Sequence, residues 1–182
     1  MAAWHDEVLD FWFKELTPED WYSGKAEVDD KIRARFGDLP AKLAANVPAD
    51  VGTDPRAALA AVIALDQFPR NIHRRKPEAF ATDDLAATIT RNALEKELDA
   101  GMSAQERQFL YMPLMHSEVL ADQERCVDLF KALGSDEGLK YAVEHRDIIA
   151  RFGRFPHRNR VLERETTEEE AAFLKTHDGY GQ

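Results

Sequence analysis

Two segments of the chain concentrate arginine next to a repeated local pattern. Residues 66–76 carry four basic side chains and one acidic one, and residues 145–160 carry five basic and one acidic. Each segment contains Phe-Pro followed closely by Arg-Asn, at Phe68–Asn71 and at Phe155–Asn159. Proline and asparagine favour short, fixed connections. A guanidinium held on such a connection is suited to bind a carboxylate or phosphate, so the pattern predicts an anion-binding pocket.

The same arginines could instead have a structural role. The net charge of the chain is −10, and cations near helix C-termini are stabilised by the last carbonyl groups. Asp66, Glu118 and Asp147 are available as ion-pair partners. Internal ion-pair networks and functional sites look alike in a sequence, so both interpretations stay open at this point.

A second unusual stretch surrounds Pro113, which interrupts an apolar helical pattern. Because proline has no backbone N–H, we expect a kink or a break near Met115–Ser117. His116 and Glu118 would then lie at a break where the regular backbone hydrogen bonds of the helix are absent. His145 lies further along the chain, on an apolar stripe at helical spacing.

These side chains, together with Asp66 and His157, could form an acid–base pair or a metal site. No two of them have the spacing of a zinc signature, such as two histidines four residues apart on a helix. We therefore predict no metal and no other cofactor. The single cysteine, Cys126, is expected to pack as a small apolar side chain within a helix.

Helices must position all of these residues, because no stretch sustains the apolar–polar alternation of a strand. A helix start is indicated by serine, threonine or aspartate before an apolar run, followed by proline or glutamate within the first turn. Such N-caps are predicted at Thr17, at Asp54, at Thr82 or Asp83, at Ser103, and at Thr166 or Thr167.

Helix ends are predicted from proline and glycine. The helix that begins at Asp54 should stop just before Pro69, because the residue preceding a proline is disfavoured in the helical region. The next helix should close at Gly101, and a later one at Gly134. About eight helices with short connections result, which indicates an all-α fold in one domain over residues 1–182. Periodicity leaves open whether the helices form an array or a closed bundle.

Composition excludes several classes of protein. The chain is 44% hydrophobic and 32% charged, unlike a disordered or fibrous protein. No apolar run approaches the roughly 20 residues of a membrane-spanning helix, and the acidic balance argues against nucleic-acid binding. One cysteine cannot form an internal disulfide, which favours a reducing, cytoplasmic location.

Three strings in the chain closely resemble a bacterial family, the domain of unknown function family numbered 924. They are Leu65–Asn71, Phe109–Glu118 and Phe152–Asn159. The resemblance covers nearly the whole chain and implies a fold like tetratricopeptide repeats, a right-handed array of antiparallel helix pairs. It implies no activity. The family pattern usually has glycine at the positions of Arg75 and Glu163, and each departure could change a turn conformation, since glycine is often present to reach a positive φ.

Three functional hypotheses follow from these residues. The first is a binding module with a basic pocket for a small anionic ligand or an acidic peptide end. The second is a hydrolase that uses His116 or His145 as general base, with an arginine to stabilise negative charge. The third makes the motifs purely structural. The oligomeric state stays undetermined. The predicted ligand-binding residues are Asp66, Arg70, Asn71, Arg74, Tyr111, His116, Glu118, His145, Arg154, His157, Arg158 and Asn159.

Overall fold

The computed structural model describes residues 3–177 and 179–181, and these residues form helices and turns without any strand. The all-α prediction is therefore confirmed over this part of the chain. None of the described helices combines the length and the apolar character needed to cross a membrane.

The α-helices vary from five to seventeen residues. In chain order they are α1 (Trp4–Asp10), α2 (Pro18–Tyr22), α3 (Ala26–Phe36), α4 (Leu39–Ala45), α5 (Pro55–Val62), α6 (Phe68–Ile72), α7 (Asp83–Glu95), α8 (Ala104–His116), α9 (Leu120–Leu133), α10 (Asp136–Phe152) and α11 (Glu168–Leu174). Two π-helical turns, Phe11–Glu15 and Ile63–Gln67, extend α1 and join α5 to α6. Short 3₁₀ turns occupy Ala49–Gly52, Pro77–Ala79, Pro156–Arg158 and Gly179–Gly181.

Several predicted helix starts are confirmed by capping hydrogen bonds. Thr17 begins α2, Ser103 begins α8 and Thr167 begins α11, and each forms a reciprocal capping box with the acid three residues later. Asp54 caps α5 by accepting from the amide of Arg56. The hydroxyl or carboxylate satisfies amide groups that have no partner inside the helix.

The prediction that a helix ends before Pro69 is wrong. The chain continues as a helix from α5 through the π-turn into α6, which runs to Ile72. Proline at position 69 cannot donate to the Leu65 carbonyl, four residues earlier. The Thr82 hydroxyl donates to that carbonyl instead, at 2.5 Å. The helix survives because a side chain from another segment replaces the missing backbone donor.

The predicted end of α7 at Gly101 is also wrong, because the helix stops at Glu95. Glu97 adopts a left-handed conformation with φ of 53°. The amide of Leu98 then donates back to the carbonyl of Ala93 at 2.9 Å, and that of Glu97 donates to Leu94 at 3.2 Å. This arrangement is a Schellman motif, formed here without the glycine on which the prediction relied.

The other predicted ends agree with the structure. Helix α9 ends at Gly134, which is left-handed with φ of 72°. Helix α8 passes through Pro113 and ends at His116, within the interval predicted for a break. The Thr90 hydroxyl donates to the carbonyl of Leu110 near the proline, at 2.8 Å.

Helix α5 is the centre of the core. Its residues from Ala57 to Val62 are all buried, and it packs against α1, α7 and α8. Aromatic rings extend this core, where Phe68 contacts both Phe11 and Trp12. Helices α8, α9 and α10 pack in succession beside it, and Cys126 is fully buried among them, as predicted.

Candidate functional site

A cavity of about 680 Å³ opens between α6, the C-terminal part of α8, the start of α10 and the segment after α2. Cavities of roughly 300 to 1,000 Å³ are typical of small-molecule sites. Polar side chains on its wall include Arg70, Asn71, Arg74, Arg75, Gln108, His116, Glu137 and His145. Aromatic and apolar side chains include Trp21, Tyr22, Phe80, Met112, Met115, Phe130, Tyr141 and Tyr180.

A histidine–carboxylate pair lies at the wall of this cavity. Asp66, in the π-turn between α5 and α6, is fully buried, and His116 is the last residue of α8. The Nδ1 atom of His116 lies 2.7 Å from Asp66 Oδ1. The other carboxylate oxygen accepts from Gln67 Nε2 at 2.6 Å. Because a carboxylate only accepts hydrogen bonds, Nδ1 carries the proton and Nε2 is left with a lone pair.

Burial and neighbouring charges keep this pair as carboxylate and neutral imidazole near pH 7. Burial lowers the pKa of His116 below its ordinary 6.5, and the charge of Arg70 lowers it further, against the opposing effect of Asp66. Burial alone would raise the pKa of Asp66, but His116, Arg70 and Gln67 outweigh burial and lower it. A neutral imidazole oriented by a carboxylate can accept a proton, which is the requirement for a general base.

His145 faces the same cavity in a different state. Its Nδ1 donates to the carbonyl of Tyr141 at 2.7 Å, and its ring stacks on Tyr180 with centroids 4.1 Å apart. Burial, followed by the charge of His116 when that imidazole is protonated, lowers the pKa of His145 to about 3. Both imidazoles are therefore neutral near pH 7, with their Nδ1 protons already donated within the protein.

The two arginine-rich segments meet at Asp83, the first residue of α7. Arg70 makes two hydrogen bonds to this carboxylate, at 2.8 and 2.9 Å. Arg158 donates to it at 3.3 Å and is itself 5% exposed. Arg70 also donates to the backbone carbonyl of Asp66 at 2.6 Å. Of the two arginines, Arg70 lines the cavity, whereas Arg158 lies between the rings of Phe80 and Phe155.

Asp29 of α3 neutralises the next arginine along the chain. Arg74 donates to both oxygens of this carboxylate, from Nε at 2.5 Å and from Nη2 at 2.9 Å. Asn71 donates to the same carboxylate at 2.8 Å. Arg74 and Asn71 are thus fixed at the cavity wall by an acid from a distant helix.

Arg75 and Glu137 differ from the other charged residues of the wall. Both are exposed, and neither forms an ion pair or a side-chain hydrogen bond with any described residue. Arg75 has a left-handed backbone with φ of 61°, which is uncommon for a residue other than glycine. Glu163 shares this conformation, with φ of 55°. These are the two positions where the family pattern usually has glycine.

Seven predicted site residues do not line the cavity. One of them is Asp66, which lies behind His116. Tyr111 donates to Asp99 at 2.6 Å and packs against Phe130. The remaining five cluster around α11 and the loops near it. They are Glu118, Arg154, His157, Arg158 and Asn159.

Each of these five residues contacts groups outside the set, and Arg158 pairs with Asp83 as described above. Arg154 makes two hydrogen bonds to Glu170, at 2.7 and 2.9 Å, and Asn159 donates to the same carboxylate. Glu118 accepts from Arg164 and from the amide of Phe155. His157 stacks against His177. This second group therefore joins α11 to the end of α8.

Sequence reasoning missed the acids that neutralise the arginines and the aromatic side of the cavity. Asp29, Asp83 and Glu137 each stand next to a second acid, and the sequence does not show which acid of each pair faces the arginines or the cavity. Tyr22 and Tyr141 are 62% and 43% exposed, and their exposure at helical apolar positions is evident only in the fold. Among the described residues, no group of three histidine, cysteine or acidic side chains is arranged to hold a metal ion.

Comparisons with known proteins agree with this architecture. The model of a family described as "Bacterial protein of unknown function (DUF924)" matches residues 8–178. A solved structure, that of protein of unknown function ATU0120 from Agrobacterium tumefaciens, is 38% identical in sequence and superposes with a TM-score of 0.89. The match covers 95% of this chain and 97% of that one. No curated protein shows significant similarity.

Proposed function

This chain belongs to the bacterial DUF924 family of unknown function, as its motifs predicted, and we propose that its central cavity binds a small ligand through an anionic group. The proposal rests on one observation: Arg75 is a cation at the cavity wall and has no partner among the described residues. Arg70 and Arg74, beside it, are already bound to carboxylates. A guanidinium left without a partner in a concave site is available to pair with a carboxylate or phosphate of a ligand.

The anionic group of the ligand, or the end of an acidic peptide, would lie against Arg75. Its other parts would contact the apolar side chains, among which Met112 and Phe130 line the wall. This arrangement follows the usual division of small-molecule sites into an apolar lining and a few oriented polar groups.

Thermal-shift and calorimetric titrations with succinate, citrate, phosphate and a peptide with a free C-terminal carboxylate would test this proposal. At least one of these probes should raise the melting temperature of the wild type. Arg75→Gln should weaken its binding about tenfold or more, the loss of one charge-assisted hydrogen bond of about 1.5 to 3 kcal/mol. Arg160→Gln, which removes an exposed arginine outside the cavity, is the matched control and should bind like the wild type. Equal binding by both variants, or no binding of any probe, would contradict the proposal.

A second candidate function is a hydrolase, favoured by the 2.7 Å contact between His116 and Asp66 at the cavity wall. His116 would take a proton from water while the water oxygen attacks an ester or amide carbonyl of a bound substrate. Asp66 would stabilise the resulting imidazolium, and Arg75 the negative charge that develops. The C–O or C–N bond of the tetrahedral intermediate would then break, and the departing alcohol or amine would receive the proton from His116.

Hydrolysis of chromogenic esters by the purified protein tests this second candidate. We expect His116→Gln to lower the rate about a hundredfold or more, the usual contribution of a positioned general base. His73→Gln, outside the cavity, should leave the rate unchanged. A rate that is the same in His116→Gln as in the wild type would rule out this role.

The finer features of the fold stay proposals. We propose that residues 1–182 form one domain arranged as a tetratricopeptide-repeat-like, right-handed array of antiparallel helix pairs, with the packing of α8 on α9 and of α9 on α10 in its support. The motif residues around α11 have a structural role in this proposal, because Arg154 and Glu118 are paired inside the protein. A cytoplasmic location, no nucleic-acid partner and no membrane association stay predictions from composition.

A further inference from the structure

We propose that the ligand of the cavity is a zwitterion with an ammonium and a carboxylate on an apolar body, such as an amino acid or a short peptide with apolar side chains. This inference rests on the proposed function and specifies its ligand class. It follows from the second unpaired charge of the cavity wall, that of Glu137.

Glu137 lines the cavity from the first turn of α10. Glu137 is exposed, and its carboxylate has no ion-pair partner among the described side chains. Tyr22 and Tyr141 line the same cavity. A carboxylate next to aromatic rings is suited to bind an ammonium group, which is attracted both by the charge and by the ring faces.

Arg75 and Glu137 line one cavity without forming an ion pair, so their charged atoms are more than 4.0 Å apart. Two opposite charges held apart on one wall can each bind a complementary group of the same ligand. A ligand with an ammonium and an anionic group fits this arrangement better than a simple anion, which would leave Glu137 unmatched and repelled.

The other charges of the wall are balanced within the protein. Arg70 is paired with Asp66 and Asp83, and Arg74 with Asp29. The two histidines are neutral near pH 7, as described above. One positive and one negative charge are left among the described residues of the wall, so a ligand of zero net charge is favoured. A carboxylate matches the single free guanidinium, whereas a phosphate dianion calls for more than one cation.

The remaining wall determines the body of the ligand. Phe130, Met112 and Met115 supply apolar surface, and methionine adapts to side chains of different shape. The volume of about 680 Å³ leaves room for more than a single amino acid, which is why short peptides belong to the proposed class.

Calorimetry with matched probes tests the two charges separately. The probes are phenylalanine and the dipeptide phenylalanyl-leucine, each with free ends, with the amino group acetylated, and with the carboxylate converted to an amide. We expect the free form of at least one series to bind, and both modified forms of that series to bind about tenfold or more weakly. Glu137→Gln and Arg75→Gln should each lower the affinity of the free form about tenfold.

Glu168→Gln is the matched control, because Glu168 is also an exposed acid in the first turn of a helix but lies outside the cavity. It should bind the probes like the wild type. If the acetylated form binds as tightly as the free form, and Glu137→Gln has no effect, the zwitterion inference is overturned while anion binding at Arg75 stands. If no form of either series binds, the inference is also overturned, and the anion panel decides the proposed function independently.

Discussion

Acidification from pH 7 to pH 5 should destabilise the protein through His145. This side chain is 5% exposed, and its Nδ1 proton is donated to the backbone carbonyl of Tyr141 at 2.7 Å. Burial, and then the positive charges of His116, His157 and Arg158 when these are protonated, lower its pKa from 6.5 to about 3; the hydrogen bond to Tyr141 opposes them only in part. In the unfolded chain the imidazole has its ordinary pKa of about 6.5.

The sign of the effect follows from proton binding. Between pH 3 and pH 6.5 the unfolded state binds a proton at this position that the folded state does not, so stability falls as the pH falls. Each pH unit in this window costs about 1.4 kcal/mol. Between pH 7 and pH 5, His145 alone should cost about 2 kcal/mol, a large part of a typical stability of about 5 to 15 kcal/mol.

Other titrating groups either add to the loss of stability between pH 7 and pH 5 or act below pH 5. His116 acts in the same direction, because its pKa is also lowered. The buried carboxylates of Asp66 and Glu170 have lowered pKa values, so the stability that they contribute is lost only below their ordinary values of 3.8 and 4.5.

Urea unfolding at pH 7, 6 and 5 measures the effect. His145→Asn retains an N–H that can reach the Tyr141 carbonyl but cannot titrate, so its loss of unfolding free energy between pH 7 and 5 should be about 2 kcal/mol smaller than that of the wild type. His73→Asn, at a half-buried position outside the cavity, serves as the control and should follow the wild type. The reasoning is refuted if the wild type is equally stable at pH 7 and 5, or if His145→Asn loses as much stability as the wild type.

Three further substitutions test the fold and its ion pairs. Arg75→Gly should stabilise the protein by up to about 1 kcal/mol in urea unfolding, because glycine adopts a positive φ without strain; a clear loss of stability would contradict the left-handed turn. Thr82→Val should lower the free energy of unfolding by about 1 kcal/mol, because it leaves the buried Leu65 carbonyl unsatisfied. In a Pro69→Ala background a backbone N–H returns, so the same substitution should cost about half of this or less. Equal costs in both backgrounds would contradict the idea that the Thr82 hydroxyl replaces the missing backbone donor. Asp83→Asn should lower the free energy of unfolding by about 3 to 5 kcal/mol, because it removes the carboxylate that Arg70 and Arg158 share. The control Glu169→Gln, in an exposed pair, should change this free energy by less than about 1 kcal/mol. Similar effects of the two substitutions would show that the ion pairs of Asp83 are not effectively buried.

Local sequence signals predicted the helices well where the stabilising contact is itself local. The capping boxes at Ser103 and Thr167 join residues only three apart, and Gly134 ends its helix through its own backbone conformation. The same reasoning failed at Pro69. There the deciding hydrogen bond comes from Thr82, seventeen residues away from the Leu65 carbonyl that it satisfies.

In the candidate site too, the sequence identified some residues that line the cavity and placed others there that do not line it. The sequence identified Arg70, Arg74, His116 and His145, all of which line one cavity, because arginine and histidine clusters are visible as composition. It also placed Arg154 and Glu118 in the site, yet these side chains pair with Glu170 and Arg164 elsewhere. The residue types of a paired and an unpaired arginine are the same, so their pattern in the sequence cannot separate them.

The chain by itself thus determines that it folds into helices, where several of them begin, and which segments carry the positive charge. Only the tertiary structure decides which charges are neutralised and which stay available to a ligand. The physical reason is distance along the chain: Asp83 joins Arg70, thirteen residues away, to Arg158, seventy-five residues away, while Arg75 and Glu137 come to one cavity without touching. Packing of whole helices sets those separations, and no local preference encodes them.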